Sequence, residues 1–336
     1  MFGTYRTLLA TMVIFLHLGG VPVIGAYAVF GFYILSGYLM TLIMQKNYGY
    51  TKKGITKYAL NRFLRVYPIY WSACILSLVV IIIFGGKFVE AYHSAMIVPN
   101  DIKSIVKNIF LFFPSQSGSR LTPPAWALTV ELFFYICIGL GMSKTKKITV
   151  AWFVISIVYT IVVNINGMSW EYKYFLISAA SLPFSTGAMI FHFRAELPSI
   201  IEKLIGRTYT PYLLILALLS NWELGFKMGT LRDFSFYINF IICAIILISL
   251  SERKELPLIS RKFDSMMGDF SYPIYLIHYQ VGLLVLVSIN AFGYELKRPD
   301  IALSLISIPV IFLFAWLVSK YMERPVDVIR AKIKSK

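Results

Sequence analysis

Ten long apolar segments, separated by short polar connections, constrain the fold of this chain more than any other feature. Most are long enough to cross a hydrocarbon core about 30 Å thick as an α-helix, and the first, fifth and seventh are short. The segments are residues 4–19, 25–44, 67–84, 125–142, 148–163, 174–191, 210–222, 234–250, 272–292 and 301–321. They predict an all-α polytopic membrane protein, a bundle of about ten transmembrane helices, with nine or eleven as the alternatives.

The composition agrees with that prediction. Hydrophobic residues make up 58% of the chain and charged residues 14%, with a mean hydropathy of +0.72. Without a polar half, the 336 residues are expected to form a single transmembrane domain, residues 1–336, rather than two soluble ones. No cleavable signal peptide is expected, since residues 1–5 carry no basic charge.

The net charge of +16 is spread over the connections between apolar segments rather than over a soluble basic domain. It therefore indicates membrane orientation and excludes nucleic acid as the expected partner. With the N-terminus in the cytoplasm, most of the 32 Lys and Arg residues fall on the inner side, so both termini are predicted to be cytoplasmic. The inner connection 45–67 has six basic residues and no acidic one, which suits anionic lipid or an anionic ligand.

Three cysteines, Cys74, Cys137 and Cys243, all fall in apolar segments. They form no CxxC pair and no disulfide framework. We expect them to be packing residues, and we expect no metal site.

Arg6 and His17 mark the first segment. Eleven residues of α-helix advance about 16 Å and end roughly 20° past three full turns, so both side chains face one way. An imidazole facing lipid would lack hydrogen bonds, so this face is expected to meet protein or a cavity. The alternative is a structural histidine, with Arg6 reaching to the lipid headgroups.

Glu131 is the one acidic residue well inside a predicted segment, where a charge costs roughly 2.5 to 3.5 kcal/mol. Counted from residue 125, it lies about 9 Å below the outer boundary, at nearly the height of His17. We therefore predict that His17 and Glu131 face one cavity, and separate structural partners are the alternative.

Further polar or small residues lie in or near the other segments. His278 lies about 10 Å from the inner boundary of the ninth segment. Ser36 and Gly37 interrupt the second segment, and small residues there usually let two helices approach closely, so packing is the expected role. His93 and His192 are expected to be ordinary surface histidines.

The longest connection, residues 85–124, is predicted to lie outside. Connections of this length are more often functional than idle. It contains an apolar piece, residues 109–113, then a predicted flexible stretch, residues 114–119, and it meets the fourth segment through Pro123 and Pro124.

Several short motifs, each different from the others, follow one another along the chain. They are Arg6 with His17; Phe32-Tyr33-Ile34-Leu35-Ser36-Gly37; Arg62-x-x-Arg65 before Tyr67-Pro68; Trp126 to Glu131 with Tyr135; and Ser271-Tyr272-x-x-Tyr275-Leu276-x-His278 with Glu323-Arg324-Pro325. In these motifs the chain resembles the membrane-bound acyltransferase 3 family. It departs from the family at Tyr33, where Phe is usual, and at Ala127, where a hydroxyl is usual, and Thr129 is the candidate to supply that hydroxyl.

The resemblance implies a multi-pass O-acyltransferase of the bacterial inner membrane. Such enzymes take acetyl, or another short acyl group, from cytoplasmic acyl-CoA and deliver it to a hydroxyl of a cell-surface polysaccharide or its precursor. The implied partners are acyl-CoA (acetyl-CoA in the simplest case), the glycan, membrane lipids and the polysaccharide synthesis machinery, with no permanently bound cofactor. No soluble extracytoplasmic domain is expected, since few residues follow Glu323.

Acyl transfer assigns roles to ten residues. His17 is the candidate base and Glu131 the group that orients it. Arginines at the cytoplasmic mouth suit the phosphates of CoA. The assignments are: catalytic, His17, Glu131 and Arg6; donor-binding, Arg62, Arg65, Ser36 and Tyr67; acceptor-binding, Trp126, Tyr135 and His278.

Two questions stay open at this point. Direct attack by a hydroxyl activated by His17 and an acyl-His17 relay both fit the residues. The rival functions are a transporter or flippase for a polysaccharide or lipid-linked glycan, since ionisable residues inside a membrane also mark transport paths, and an inactive partner in a polysaccharide synthesis complex.

Overall fold

The computed structural model describes residues 1–114, 118–251, 253 and 255–335, and this part of the chain is helical, with one isolated β-bridge between Leu256 and Ile259. Residues 115–117 of the predicted flexible stretch, and Lys254 of a predicted inner connection, lie outside it. The α-helices of the described residues are α1 Gly3–His17, α2 Ile24–Ile43, α3 Lys52–Phe84, α4 Gly86–Tyr92, α5 Ile102–Phe110, α6 Ala125–Gly139, α7 Lys146–Ile165, α8 Ile177–Phe193, α9 Ser199–Gly206, α10 Thr210–Met228, α11 Phe234–Ser251, α12 Arg261–Ala291, α13 Ile301–Val318 and α14 Arg324–Ser335. Single π-helical turns follow α2 and α13, at Met44–Tyr48 and Ser319–Glu323.

Every predicted apolar segment forms a helix: α1, α2, α3, α6, α7, α8, α10, α11, α12 and α13. Among the described residues, six continuous helical stretches are long and apolar enough to cross a membrane. They are Ile24–Tyr48, Lys52–Phe84, Lys146–Ile165, Phe234–Ser251, Arg261–Ala291 and Ile301–Ile333. The chain is an all-helical membrane protein; ten spans with both termini in the cytoplasm stay a prediction.

Two helices begin earlier than predicted. α3 starts at Lys52 rather than at residue 67, and α12 starts at Arg261 rather than at residue 272. The added turns are too polar to register as apolar segments, but in α3 they are rich in the good helix formers Lys, Leu and Arg. Both helices then continue through a proline, Pro68 or Pro273, which membrane helices tolerate when neighbouring groups pack against them.

The chain divides into two compact units. Unit 1 comprises Met1–Leu9, Pro22–Ala59 and Glu131–Gly268; unit 2 comprises Ala10–Val21, Leu60–Val130 and Asp269–Lys336.

Unit 1 is built on a close contact between α2 and α8. A Cβ atom placed on Gly37 would lie 2.1 Å from the carbonyl oxygen of Phe184, and one on Gly187 would lie 2.0 Å from the carbonyl oxygen of Ile34. Only glycine at both positions lets the two backbones meet in this way. The packing role predicted for Gly37 is confirmed.

Unit 2 is built on α3 and the connection that follows it. Three aromatic side chains of α3 donate hydrogen bonds to successive carbonyl oxygens at the end of α5: Tyr70 to Asn108 at 2.7 Å, Trp71 to Ile109 at 3.0 Å and Tyr67 to Phe110 at 2.9 Å. A helix end has carbonyl groups without intrahelical partners, and these donors satisfy them. The last turn of α5 is therefore held beside α3.

Candidate active site

A pair of histidines lies at the end of α1 in unit 2. His17, the last residue of α1, is half-buried, and its Nδ1 is 2.8 Å from Nε2 of His278 on α12. The two ring planes differ by 8°, and the ring centroids are 5.1 Å apart. That separation is about the nitrogen–nitrogen distance plus the radii of two imidazole rings, so the rings meet edge to edge in one plane rather than stacking. This geometry suits a hydrogen bond.

His278 is fully buried, and both of its ring nitrogens have neighbours. Its Nδ1 lies 2.8 Å from the carbonyl oxygen of Tyr275 and 3.3 Å from that of Ile274, both on its own helix. Its Nε2 faces His17. Backbone, His278 and His17 therefore form one continuous hydrogen-bonded row.

An arginine and two tyrosines surround the histidine pair. Nε of Arg298 donates to the carbonyl oxygen of His17 at 2.9 Å, and its Nη1 donates to the carbonyl oxygen of Tyr92. The guanidinium lies 4.8 Å from the ring centroid of Tyr92 and 4.9 Å from that of Tyr279, within the range of cation–π attraction. The Tyr279 ring is also 4.9 Å from the ring of His17.

Sequence reasoning missed this surrounding group. The signals were an arginine placed directly before a proline in the short connection between α12 and α13, and a tyrosine adjoining His278. Neither residue belongs to a motif, and nothing in its spacing connects it to His17.

His93 and His192 are not ordinary surface residues. His93 is half-buried with its ring edge-on to Tyr279 at 4.7 Å, and burial, then the charges of Arg298 and Arg120, lowers its pKa to about 4. His192, in unit 1, is half-buried with Nε2 3.0 Å from a backbone carbonyl oxygen. The prediction for both was wrong because position between segments does not reveal burial.

Glu131 lies in unit 1 with two hydroxyl groups on one carboxylate oxygen. Ser36 Oγ donates to Oε1 at 2.5 Å, and the hydroxyl of Tyr135, one helical turn further along α6, donates to the same atom. Hydrogen bonds to a charged acceptor are stronger than those between neutral groups. Three predicted site residues, Glu131, Ser36 and Tyr135, are thus brought together by direct contacts.

Both arginines of the Arg-x-x-Arg motif contact other side chains of unit 2. Arg65 forms an ion pair with Glu323, whose side chain is 3% exposed, and Arg62 donates to Oδ1 of Asn61 at 2.7 Å. The pairing joins the Arg-x-x-Arg motif to the terminal motif. The charge of Arg65 is therefore balanced inside the protein, whereas sequence reasoning took both arginines as available to phosphate.

The remaining predicted residues are placed as follows. Tyr67 bonds to α5 as described above, and Trp126 is buried in the first turn of α6. Arg6 is half-buried on α1, the helix that also carries His17. The hydroxyl of Thr129 donates to the carbonyl oxygen of Leu111 at 2.9 Å and accepts from the backbone N–H of Phe113. These two bonds attach the connection 85–124 to α6.

The predicted site residues therefore fall into two sets. Arg6, Ser36, Glu131 and Tyr135 belong to unit 1; His17, Arg62, Arg65, Tyr67, Trp126 and His278 belong to unit 2. The shared pocket of His17 and Glu131 stays a prediction. Among the described residues, no three His, Cys, Asp or Glu side chains are grouped to hold a metal ion.

The fold defines a helical membrane protein. Unit 2 has an imidazole pair beside a guanidinium, and unit 1 has a carboxylate that accepts two hydroxyl hydrogen bonds; imidazoles and carboxylates are side chains that commonly serve in acid–base catalysis. The chain belongs to the acyltransferase 3 family: the family's acyltransferase domain matches residues 4–320, nearly its whole length. The resemblance is confirmed, and family membership makes this protein an acyltransferase. No curated protein and no solved structure matches it.

Proposed function

We propose that this protein is an O-acyltransferase of the bacterial inner membrane that uses cytoplasmic acyl-CoA. It transfers the acyl group, acetyl in the simplest case, to a hydroxyl of a cell-surface polysaccharide or its precursor. The observation that carries the proposal is the hydrogen bond between His17 and His278, because it holds a half-buried imidazole in one orientation within an acyltransferase domain.

His17 acts as the general base. It takes the proton of the acceptor hydroxyl as the oxygen attacks the thioester carbonyl, and a tetrahedral intermediate forms. Collapse of the intermediate breaks the carbon–sulfur bond, and the proton on His17 passes to the departing CoA thiolate. The charge of Arg298, bonded to the His17 carbonyl oxygen, lies near this step and favours negative charge developing there.

Glu131 is the carboxylate residue that we assign to the reaction. Two hydroxyl donors on Oε1 hold its carboxylate in place, which explains why Ser36 and Tyr135 accompany it in the family motifs. Through these contacts Ser36 and Tyr135 act as positioning residues for Glu131, in addition to the ligand contacts predicted for them.

Arg62 is the proposed main contact for the phosphates of CoA. A guanidinium presents several N–H donors in a plane that matches phosphate oxygens. Arg65 contributes less, since its charge already meets Glu323. Tyr67, five residues after Arg62 on α3, keeps its predicted donor-binding role, and its hydroxyl donates to the carbonyl oxygen of Phe110.

The reaction is tested in membrane vesicles that carry the native glycan, with labelled acetyl-CoA supplied on the cytoplasmic face. Transfer of label to glycan, with release of CoA thiol, is the expected result. His17→Asn should lower the rate about 10²- to 10⁴-fold, the usual contribution of a general base. His192→Gln, which exchanges a histidine of unit 1, is the matched control and should retain activity.

Two other outcomes discriminate between mechanisms and functions. Label on the protein in the absence of acceptor, lost in His17→Asn, would establish the relay; transfer without such label would favour direct attack. A deletion strain whose glycan no longer reaches the surface but keeps every acyl ester, read by NMR of the total cell glycan, would contradict the acyltransferase proposal and favour a transporter.

A further inference from the structure

We propose that His278 is a positioning residue that fixes His17 in the tautomer with the proton on Nδ1, so that Nε2 is the atom that accepts the substrate proton. The proposal rests on the assignment of His17 as the base. It replaces the acceptor-binding role first predicted for His278 with a role exerted through His17.

His278 lies at the buried end of the hydrogen-bonded row. Nδ1 of His278 lies 2.8 Å from the carbonyl oxygen of Tyr275, and a carbonyl oxygen only accepts. Nδ1 of His278 must therefore carry a proton. A second carbonyl oxygen, that of Ile274 at 3.3 Å, favours the same assignment.

A neutral imidazole has one N–H donor and one lone-pair acceptor. With its proton on Nδ1, His278 has a lone pair on Nε2 and accepts there. Nδ1 of His17, 2.8 Å away, must then be the donor. The coplanar, edge-to-edge rings place the Nδ1–H bond of His17 along the line to that lone pair.

The opposite arrangement would require a protonated His278. That form would bury a full positive charge on a side chain with no exposed surface, close to the charge of Arg298. Burial of an unpaired charge is costly, so the neutral row is favoured.

The tautomer of His17 determines which of its two ring nitrogens is basic. Its Nδ1 is committed to His278, so Nε2 keeps its lone pair and is the basic atom. The half-buried ring carries this atom, while the fully buried ring sets its tautomer. Of the two histidines, only His17 is then positioned to meet a hydroxyl.

The test is ¹⁵N NMR of detergent-solubilised protein labelled at its histidines, at a pH above 8. There are four histidines, so single variants assign the signals. The wild-type protein should show His17 with a protonated Nδ1 and an unprotonated Nε2. His278→Leu removes the acceptor, and His17 should then carry its proton mainly on Nε2; His278→Gln keeps an acceptor oxygen and should preserve the wild-type tautomer. His192→Gln is the control and should leave the His17 signals unchanged.

Turnover provides a second readout. His278→Leu should lower kcat about tenfold or more, the scale of one hydrogen bond, with KM for acyl-CoA unchanged, and His278→Gln should restore part of the loss. A wild-type His17 with its proton on Nε2, or a His278→Leu spectrum in which the His17 tautomer does not change, would overturn the proposal. Because the spectra do not depend on turnover, a protein inactive as an acyltransferase with the expected tautomer would refute the proposed function alone.

Discussion

Replacing Gly37 by alanine should separate two helices of unit 1. The added Cβ would lie 2.1 Å from the carbonyl oxygen of Phe184 and 2.9 Å from its Cα and carbonyl carbon, whereas ordinary contact begins at 3.4 Å. These are backbone atoms that cannot rotate away, so α2 and α8 must move apart by roughly 1 Å.

The expected loss of stability is about 3 kcal/mol, the upper part of the range for overpacked positions. With an unfolding entropy of about 2 cal/mol/K per residue, this lowers the midpoint of thermal unfolding of a chain of this length by about 4 °C. In the assay, detergent-solubilised protein is heated to a series of temperatures, and size-exclusion chromatography measures the fraction that stays folded at each one. Gly86→Ala is the matched control, because a Cβ there meets nothing within 4 Å. Equal midpoints for Gly37→Ala, Gly86→Ala and wild type would refute the close backbone contact.

Three further predictions concern single side chains. Since burial and nearby arginines lower the pKa of His93 from 6.5 to about 4, the unfolded chain binds a proton that the folded chain does not; its contribution to stability is complete above pH 6.5 and is lost as pH falls toward 4. The thermal midpoint of wild type should therefore drop more than that of His93→Gln over this range, and parallel curves would contradict the assignment. Glu323→Gln should destabilise the protein by about 3 kcal/mol by leaving Arg65 without its counter-charge, and combining it with Arg65→Met should recover part of the loss; additive losses in a double-mutant cycle would show that the pair is not coupled. Ser36→Ala and Tyr135→Phe each remove one donor to Glu131, so each should lower kcat about tenfold or more with the protein still folded, whereas unchanged kcat in both would remove their positioning role.

The helices were predictable because lipid demands apolar residues in long runs. All ten apolar segments appear as helices, since a span in hydrocarbon must satisfy its backbone internally. The starts of α3 and α12 were not predictable in the same way, because their first turns are polar and precede Pro68 and Pro273. A proline in a sequence more often marks a helix boundary than a position within a helix.

The earlier start of α12 also changes the place of His278 along its helix. Counted from residue 272, His278 was expected about 10 Å along its helix; counted from Arg261 it lies about 25 Å along it. No spacing within one helix indicates contact between His278 and His17, because the two residues lie on different helices. Their hydrogen bond follows from tertiary packing, which no spacing within either segment reveals.

The sequence indicates one of the two contacts of Glu131. Tyr135 follows it by one helical turn, so contact between the two was foreseeable from helix geometry. Ser36 lies on another helix, and only its place in a family motif singled it out. Arg298 had no signal of either kind, because its bond to His17 depends on how the connection after α12 returns to the end of α1.

His17 is held at two points before any substrate arrives. Its ring is tied to His278, and its backbone carbonyl is tied to Arg298. Preorganised groups need not be reoriented during a reaction, so in its proposed role as the base His17 adds little to the barrier for its own arrangement. Differences in rate among candidate hydroxyl acceptors should then report how well each acceptor is seated, which makes kinetic comparison of glycans a direct way to rank them.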